Sequence, residues 1–204
     1  MFALVDKSDN SITRMLSGSQ GITLDGIQHP KAIFSLWTEA ERNDINIYTV
    51  EINNSKRKNT EWYVNTNVTY SFNGSKVTGS YGDATARAHA DTLFTAQDES
   101  DGKGTEGDVK DEGLKTKLIR SIKSQAEGEL NKTDWYITRK AEKDTAIPSA
   151  VSTHRDAVRS KQAEMETAIT NASDTPALET LYTYTTQEDG STTRPLGELP
   201  TKDF

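Results

Sequence analysis

The residues best suited to chemistry are an acid–aromatic triplet and a pair of arginines further along. Asp134, Trp135 and Tyr136 are consecutive, Pro148 follows, and Arg155 and Arg159 stand four apart. A spacing of four places both guanidiniums on one helix face. Together they can clamp a carboxylate, either Asp134 of this chain or an acid of a partner, because a guanidinium offers paired N–H donors that match carboxylate oxygens. The competing reading is a solvated helix face with local ion pairs. Trp135 suits either a core or a partner pocket. Tyr136 beside it is expected to point elsewhere, which makes it the better candidate for an exposed aromatic.

Other chemistries find little support. The chain has no cysteine, which excludes disulfides, thiolate metal sites and thiol nucleophiles. His29, His89 and His154 are far apart, and none has a neighbour at metal-ligand spacing. There is no Gly-x-Ser-x-Gly elbow. Gly102-Lys103-Gly104 is not followed by the Gly-Lys-Ser/Thr of a phosphate loop. The acidic stretch from Gln97 to Gly113 superficially suggests a calcium loop. With Gly104 at the obligatory glycine, however, Lys103 falls on a ligand position and Lys110 where a bidentate glutamate belongs. The stretch reads instead as a solvated linker. The expectation is a non-enzymatic chain with no catalytic residue, metal or cofactor.

Composition points the same way. Of 204 residues only 33% are apolar, and mean hydropathy is −0.74. The core must be thin, so part of the stability is expected from partners or homo-oligomer contacts. Twenty-four Lys and Arg against 31 Asp and Glu give a net charge of −7. That balance disfavours non-specific nucleic-acid binding, which relies on cations displacing counterions from phosphates. No run approaches the ~20 apolar residues of a membrane span, and Met1 to Asp6 is too short an apolar run for a signal peptide.

The elements that must position the triplet and the arginines follow from periodicity. The fold class expected is α+β: a small N-terminal antiparallel β unit with one short helix, followed by a C-terminal helical module. The divisions are 1–82 for the β unit, 83–112 for a helix and acidic Gly-rich linker, 113–185 for the helical module and 186–204 for an extended tail. Phe2 to Val5 and Ser11 to Leu16 read as a hairpin, and Ile22 to Leu24 as a short extended piece. Thr38 and Glu41 have capping-box spacing for a two-turn helix, and Ile45 to Ile52 alternates as a half-buried strand. Trp62, Val64, Val68, Tyr70 and Phe72 share one parity, the clearest strand signal in the chain. Asn73-Gly74 then offers a type I′ turn. Ala84 to Thr95, with its alanines and Leu93-Phe94, reads as a helix. Leu114, Leu118, Ile119, Ile122, Ala126 and Leu130 lie at helical spacing. Thr133 is a possible cap for a short helix to Lys143, Ser149 for the longest helix to about Asn171, and Asp174 with Pro176 for another. Val151, Val158 and Met165 recur every seven residues, and the simplest reading is one apolar stripe packed against Leu118, Ile122 and Trp135.

Two parts of the chain resemble small tailed-phage proteins. Phe2 to Val5, Ile22 to Pro30 and Trp37-Thr38-Glu39-Ala40-Glu41-Arg42 leading to Ile47-Tyr48 are similar to the N-terminal unit of proteins encoded near tail genes in marine phages. Leu114 to Ala172, with Asp134-Trp135, Pro148, Arg155 and Arg159, resembles the helical module of tail-assembly chaperones. The resemblance implies a virion component associated with the tail (a fibre, baseplate or adaptor protein). It would be made in the host cytoplasm, end in the virion, and contact phage tail, fibre or baseplate proteins through Asp134, Trp135, Tyr136, Arg155 and Arg159. The alternative it implies is a chaperone that binds the fibre during assembly.

Overall fold

The computed structural model describes residues 1–204. The fold is α+β, and the chain forms two compact units, Met1–Thr85 and Ala86–Phe204.

The first unit begins with a hairpin of β1 (Phe2–Asp6) and β2 (Ser11–Leu16), its register broken by a bulge between Leu4 and Val5. A smaller hairpin follows, β3 (Ile22–Leu24) and β4 (Ile27–His29). Its two central residues, Asp25 and Gly26, both have positive φ, as a type I′ turn requires. Two short helices come next, α1 (Ile33–Leu36) and α2 (Glu39–Asp44), where one was expected. At α2 the Thr38 side chain accepts from the Glu41 amide at 3.3 Å, and the Glu41 carboxylate accepts from the Thr38 amide at 2.7 Å. β5 (Ile47–Asn53), β6 (Tyr63–Val64), β7 (Thr69–Phe72) and β8 (Val77–Ser80) complete the unit, with β9 (Thr85–Ala86) spanning the division.

The main sheet has the order β2-β1-β5-β8-β7. All its pairings are antiparallel except β5 with β8, which is parallel, so the expected purely antiparallel unit is in fact mixed. The edge strands β2 and β7 lie against one another, and the sheet curls. Alternation along β1 serves two cores. Ala3 and Val5 join Tyr48, Phe72 and Val77 on one face, while Phe2 and Leu4 pack with Ile22, Ile33 and Ile47 on the other.

The strand expected from Trp62 to Phe72 is interrupted. Asn65 accepts from the Lys58 amide and donates to the Lys58 carbonyl, both at 2.8 Å, and the Thr66 hydroxyl accepts from the Gly82 amide at 2.7 Å. These side-chain bonds draw the backbone out of a continuous ladder. Trp62 and Tyr63 are consequently both buried, whereas Val64 and Tyr70 are exposed. The turn at Asn73 is also displaced by one residue. Only Gly74 has positive φ, Asn73 donates its amide to the Lys76 carbonyl, and the Asn73 carboxamide accepts from the Ser75 and Lys76 amides. Gly74 at the first central position fits a type II′ turn.

The segment from Ala84 to Thr95, which runs from the end of the first unit into the second, is extended, not helical. It supplies β10 (Thr92–Leu93), which pairs with β11 (Val109–Asp111) around a short helix, α3 (Ala96–Ser100). The reason is visible at the start of α4 (Leu114–Asn131). The Ala88 and His89 carbonyls accept from the amides of Leu114 and Lys115, and Asp91 accepts from the Gly113 amide and the Thr116 hydroxyl. An extended chain is needed to present those acceptors to the otherwise unpaired first turn.

α5 (Asp134–Lys143), α6 (Ser149–Asn171) and α7 (Thr175–Tyr182) follow, with Asp174 capping α7 through the Ala177 amide at 2.8 Å. α4 packs on α6. Ile122 and Ala126 of α4 are buried, as are Val151, Val158, Met165 and Ile169 of α6. The segment expected as an extended tail contains a short hairpin and is anchored at Leu196. β12 (Thr185–Thr186) pairs with β13 (Thr192–Thr193), Leu196 is buried, and its amide donates to the Leu181 carbonyl at 3.0 Å.

Candidate interaction site on the helical unit

The two arginines expected to act together have different surroundings. Arg155 is buried in α6, its side chain only 9% exposed. Its Nη1 lies 2.8 Å from the Leu130 carbonyl, 2.7 Å from the Thr133 hydroxyl and 2.7 Å from an Asp134 carboxylate oxygen. The cation therefore meets the carbonyl end of α4 and the acidic first residue of α5, where helix dipoles favour positive and negative charge respectively. Of the two carboxylates considered for it, Arg155 binds Asp134 of its own chain. Thr133, completely buried, uses its hydroxyl on the Leu130 carbonyl and on Arg155, so it does not cap α5 as expected. The result is a polar knot that fixes the α4–α5 corner on α6.

Arg159, one turn further, is 52% exposed and reaches only Asp156, at 3.4 Å. It borders an open cleft of about 690 Å³ along α6, lined also by Leu130, Gln162, Glu166 and Thr170. Glu166 there accepts from Gln162 at 2.8 Å and pairs with Lys123 at 3.5 Å. The joint clamp of Arg155 and Arg159 is therefore not formed: one arginine is a structural cation and the other a solvated one.

The aromatic residues are arranged differently from the expectation too. Trp135 is half exposed and takes no part in the stripe of α6, while Tyr136 is the more buried of the two. Their rings do not diverge but lie 3.8 Å apart between centroids, tilted by 32°. The Arg139 guanidinium sits over both, 4.6 Å from Trp135 and 5.3 Å from Tyr136. Such a cation over aromatic faces is held by the ring quadrupole. Sequence reasoning passed over Arg139, although its spacing, four from Trp135 and three from Tyr136, was a legible signal.

α5 buries none of its residues, yet it carries two of the chain's exposed large apolar side chains, Trp135 and Ile137. Its ends are defined by Asp134 on Arg155 and by Asp144, which adopts a left-handed conformation and pairs with Lys140 at 2.5 Å. It is thus a short helix pinned at its start, with an aromatic–cation cluster facing outward. Such a surface can stack on planar or apolar groups and bind carboxylates.

The histidines occupy separate settings. His29 is edge-on to Trp37, His89 lends its carbonyl to α4, and His154 lies under Phe204. No group of three or more His, Cys, Asp or Glu side chains is arranged so that it could hold a metal ion. The acids of the former linker are engaged locally: Asp98 pairs with Lys110 at 3.0 Å and Asp101 with Lys103 at 2.8 Å. The Thr95 amide, then Lys110 and the Thr95 hydroxyl, hold the Asp98 carboxyl down at about 2. No helix is long and apolar enough to cross a membrane. No family model, curated protein or solved structure matches the chain.

Proposed function

We propose that this chain is a non-enzymatic virion component of a tailed phage, associated with the tail as a fibre, baseplate or adaptor protein and acting through protein–protein contacts. The observation that carries the protein-contact part is helix α5: a half-exposed Trp135, stacked with Tyr136 and Arg139, on an element held by the buried Arg155–Asp134 pair. Aromatic and arginine side chains dominate the energetics of protein interfaces. A rigid mounting also lowers the ordering cost of binding. The assignment to a phage tail rests on the resemblance of the Leu114 to Ala172 segment, with its Asp134-Trp135, Pro148 and Arg155-to-Arg159 spacing, to tail-assembly modules.

The role assigned to each residue differs from the simple clamp. Trp135 and Tyr136 offer contact area, Asp134 and Arg155 hold the helix that presents them, and Arg159 lies on the neighbouring cleft. The test is quantitative mass spectrometry of purified virions. Stoichiometric recovery with tail proteins supports a structural part. Recovery only from lysates, bound to fibre protein, makes the chain an assembly chaperone. Absence from both rules out the tail assignment.

A further inference from the structure

The cations of α5 are segregated. At 100° per residue, Trp135, Tyr136, Arg139, Lys140 and Lys143 fall within a sector of about 140°, with Glu142 at its edge beside Trp135 and Asp134 well outside it. Lys140 is partly neutralised by Asp144, but Arg139 and Lys143 pair with no carboxylate. Trp135, Arg139 and Lys143 form an i, i+4, i+8 line. Arg139 is already oriented by the two rings, and its Nε is buried without a hydrogen-bond partner. This aromatic and cationic face belongs to a chain of net charge −7.

We propose that this face of α5 binds a short acidic segment of a partner protein, with carboxylates on Arg139 and Lys143 and an apolar or aromatic side chain against Trp135. The inference rests on the contact surface of the proposed function and names the chemistry of its partner. Size and charge select the occupant. A ten-residue helix is about 15 Å long, a span covered by four or five extended residues. A short peptide meets only this local patch. A nucleic acid or an anionic bilayer extends well beyond it and meets the field of an acidic protein.

The test uses the full chain and needs no phage. A synthetic octapeptide of glutamate and phenylalanine is titrated into labelled protein, and the α5 amides and the Trp135 indole are followed by NMR. Shift changes confined to α5 are expected, with binding about tenfold weaker in the Arg139→Glu/Lys143→Glu variant and weaker at high salt. Arg139→Gln/Lys143→Gln should lie between. Lys143→Glu alone, which leaves the ring stack intact, should weaken binding while lowering the melting temperature by no more than a few degrees, the effect of a negative charge in the last turn of the helix. The proposal is overturned if the peptide leaves the α5 signals unmoved, or if the charge-reversed variants bind it equally well. It is also overturned if a single-stranded oligonucleotide or phosphatidylglycerol vesicles bind α5 more tightly than the peptide does. None of these outcomes depends on whether virions contain the chain, so the tail assignment and the acidic-partner assignment can fail separately.

Discussion

Replacing Arg155 by alanine removes the only charged group at the α4–α5–α6 corner that is buried and triply engaged. Its Nη1 sits within 2.8 Å of the Leu130 carbonyl and 2.7 Å of both the Thr133 hydroxyl and Asp134. Hydrogen bonds to a charged group contribute roughly 1.5–3 kcal/mol each, but three do not add fully here. The Asp134 side chain is 52% exposed and regains water. The Leu130 carbonyl keeps the Thr133 amide and hydroxyl, both at 3.0 Å. A net loss of about 2–4 kcal/mol follows. For a unit of this size, that is a fall in melting temperature on the order of 10 °C. Urea and thermal unfolding by circular dichroism measure it, with Arg159→Ala as the control. Arg159 meets only an exposed Asp156 and should cost less than ~0.5 kcal/mol. Arg155→Lys should fall between, since an ammonium keeps the charge but not the planar fork. If Arg155→Ala melted like the wild type, the polar knot would not hold the corner, and the mounting of α5 would need another explanation. An Arg155→Ala/Arg159→Ala double variant would carry the folding cost of Arg155, so Arg159→Ala alone separates binding from folding.

Three further outcomes follow from the packing. Gly113 has an extended backbone that any residue can adopt, but a Cβ there would lie 2.4 Å from the Ala90 carbonyl group, so Gly113→Ala should cost about 1–3 kcal/mol on steric grounds alone, read from the melting curve. Leu196→Ala should destabilise the helical unit by about 2–5 kcal/mol, and the Leu196 amide should resist hydrogen exchange; fast exchange would mean a free tail. The Asp98 carboxyl should titrate near 2 when followed by carbon NMR. A depressed carboxyl stabilises the fold above its ordinary value of 3.8, and that contribution is lost as pH falls from there through about 2, so the β10–β11 amides should shift in that window and cease to do so in Asp98→Asn.

Local signals in the sequence were reliable where one interaction decides the structure. The Thr38–Glu41 capping box, the Asp174 cap, the β1–β2 hairpin and the apolar spacing of α4 all depend on neighbours within a few residues. Errors arose where a distant group decided. The alanines at 84, 86, 88 and 90 invited a helix, yet they also alternate with period two, and Asp91 with the Ala88 and His89 carbonyls is bound to the start of α4 some 25 residues on. The parity of Trp62 to Phe72 gave no warning that Asn65 and Thr66 would bind Lys58 and Gly82. At the site, Arg155 and Asp134 were legible as a pair, but not the burial that separates Arg155 from Arg159. Trp135 looked like a core residue because tryptophan usually is one; it lies half in solvent on a helix that buries none of its residues and is held at its start through Thr133 and Asp134 on Arg155.

The central claim is that α5 is a contact surface in a phage tail, and cross-linking mass spectrometry on purified virions addresses it most directly. Lys140 and Lys143 lie on the proposed face and carry reactive amines. Links are expected from these two lysines to a tail, fibre or baseplate protein, lost when Trp135 and Arg139 are both replaced by alanine. A chain that is present in virions but whose α5 lysines link only within its own chain would contradict the assigned surface. A chain missing both from virions and from fibre complexes in the lysate would contradict the function itself.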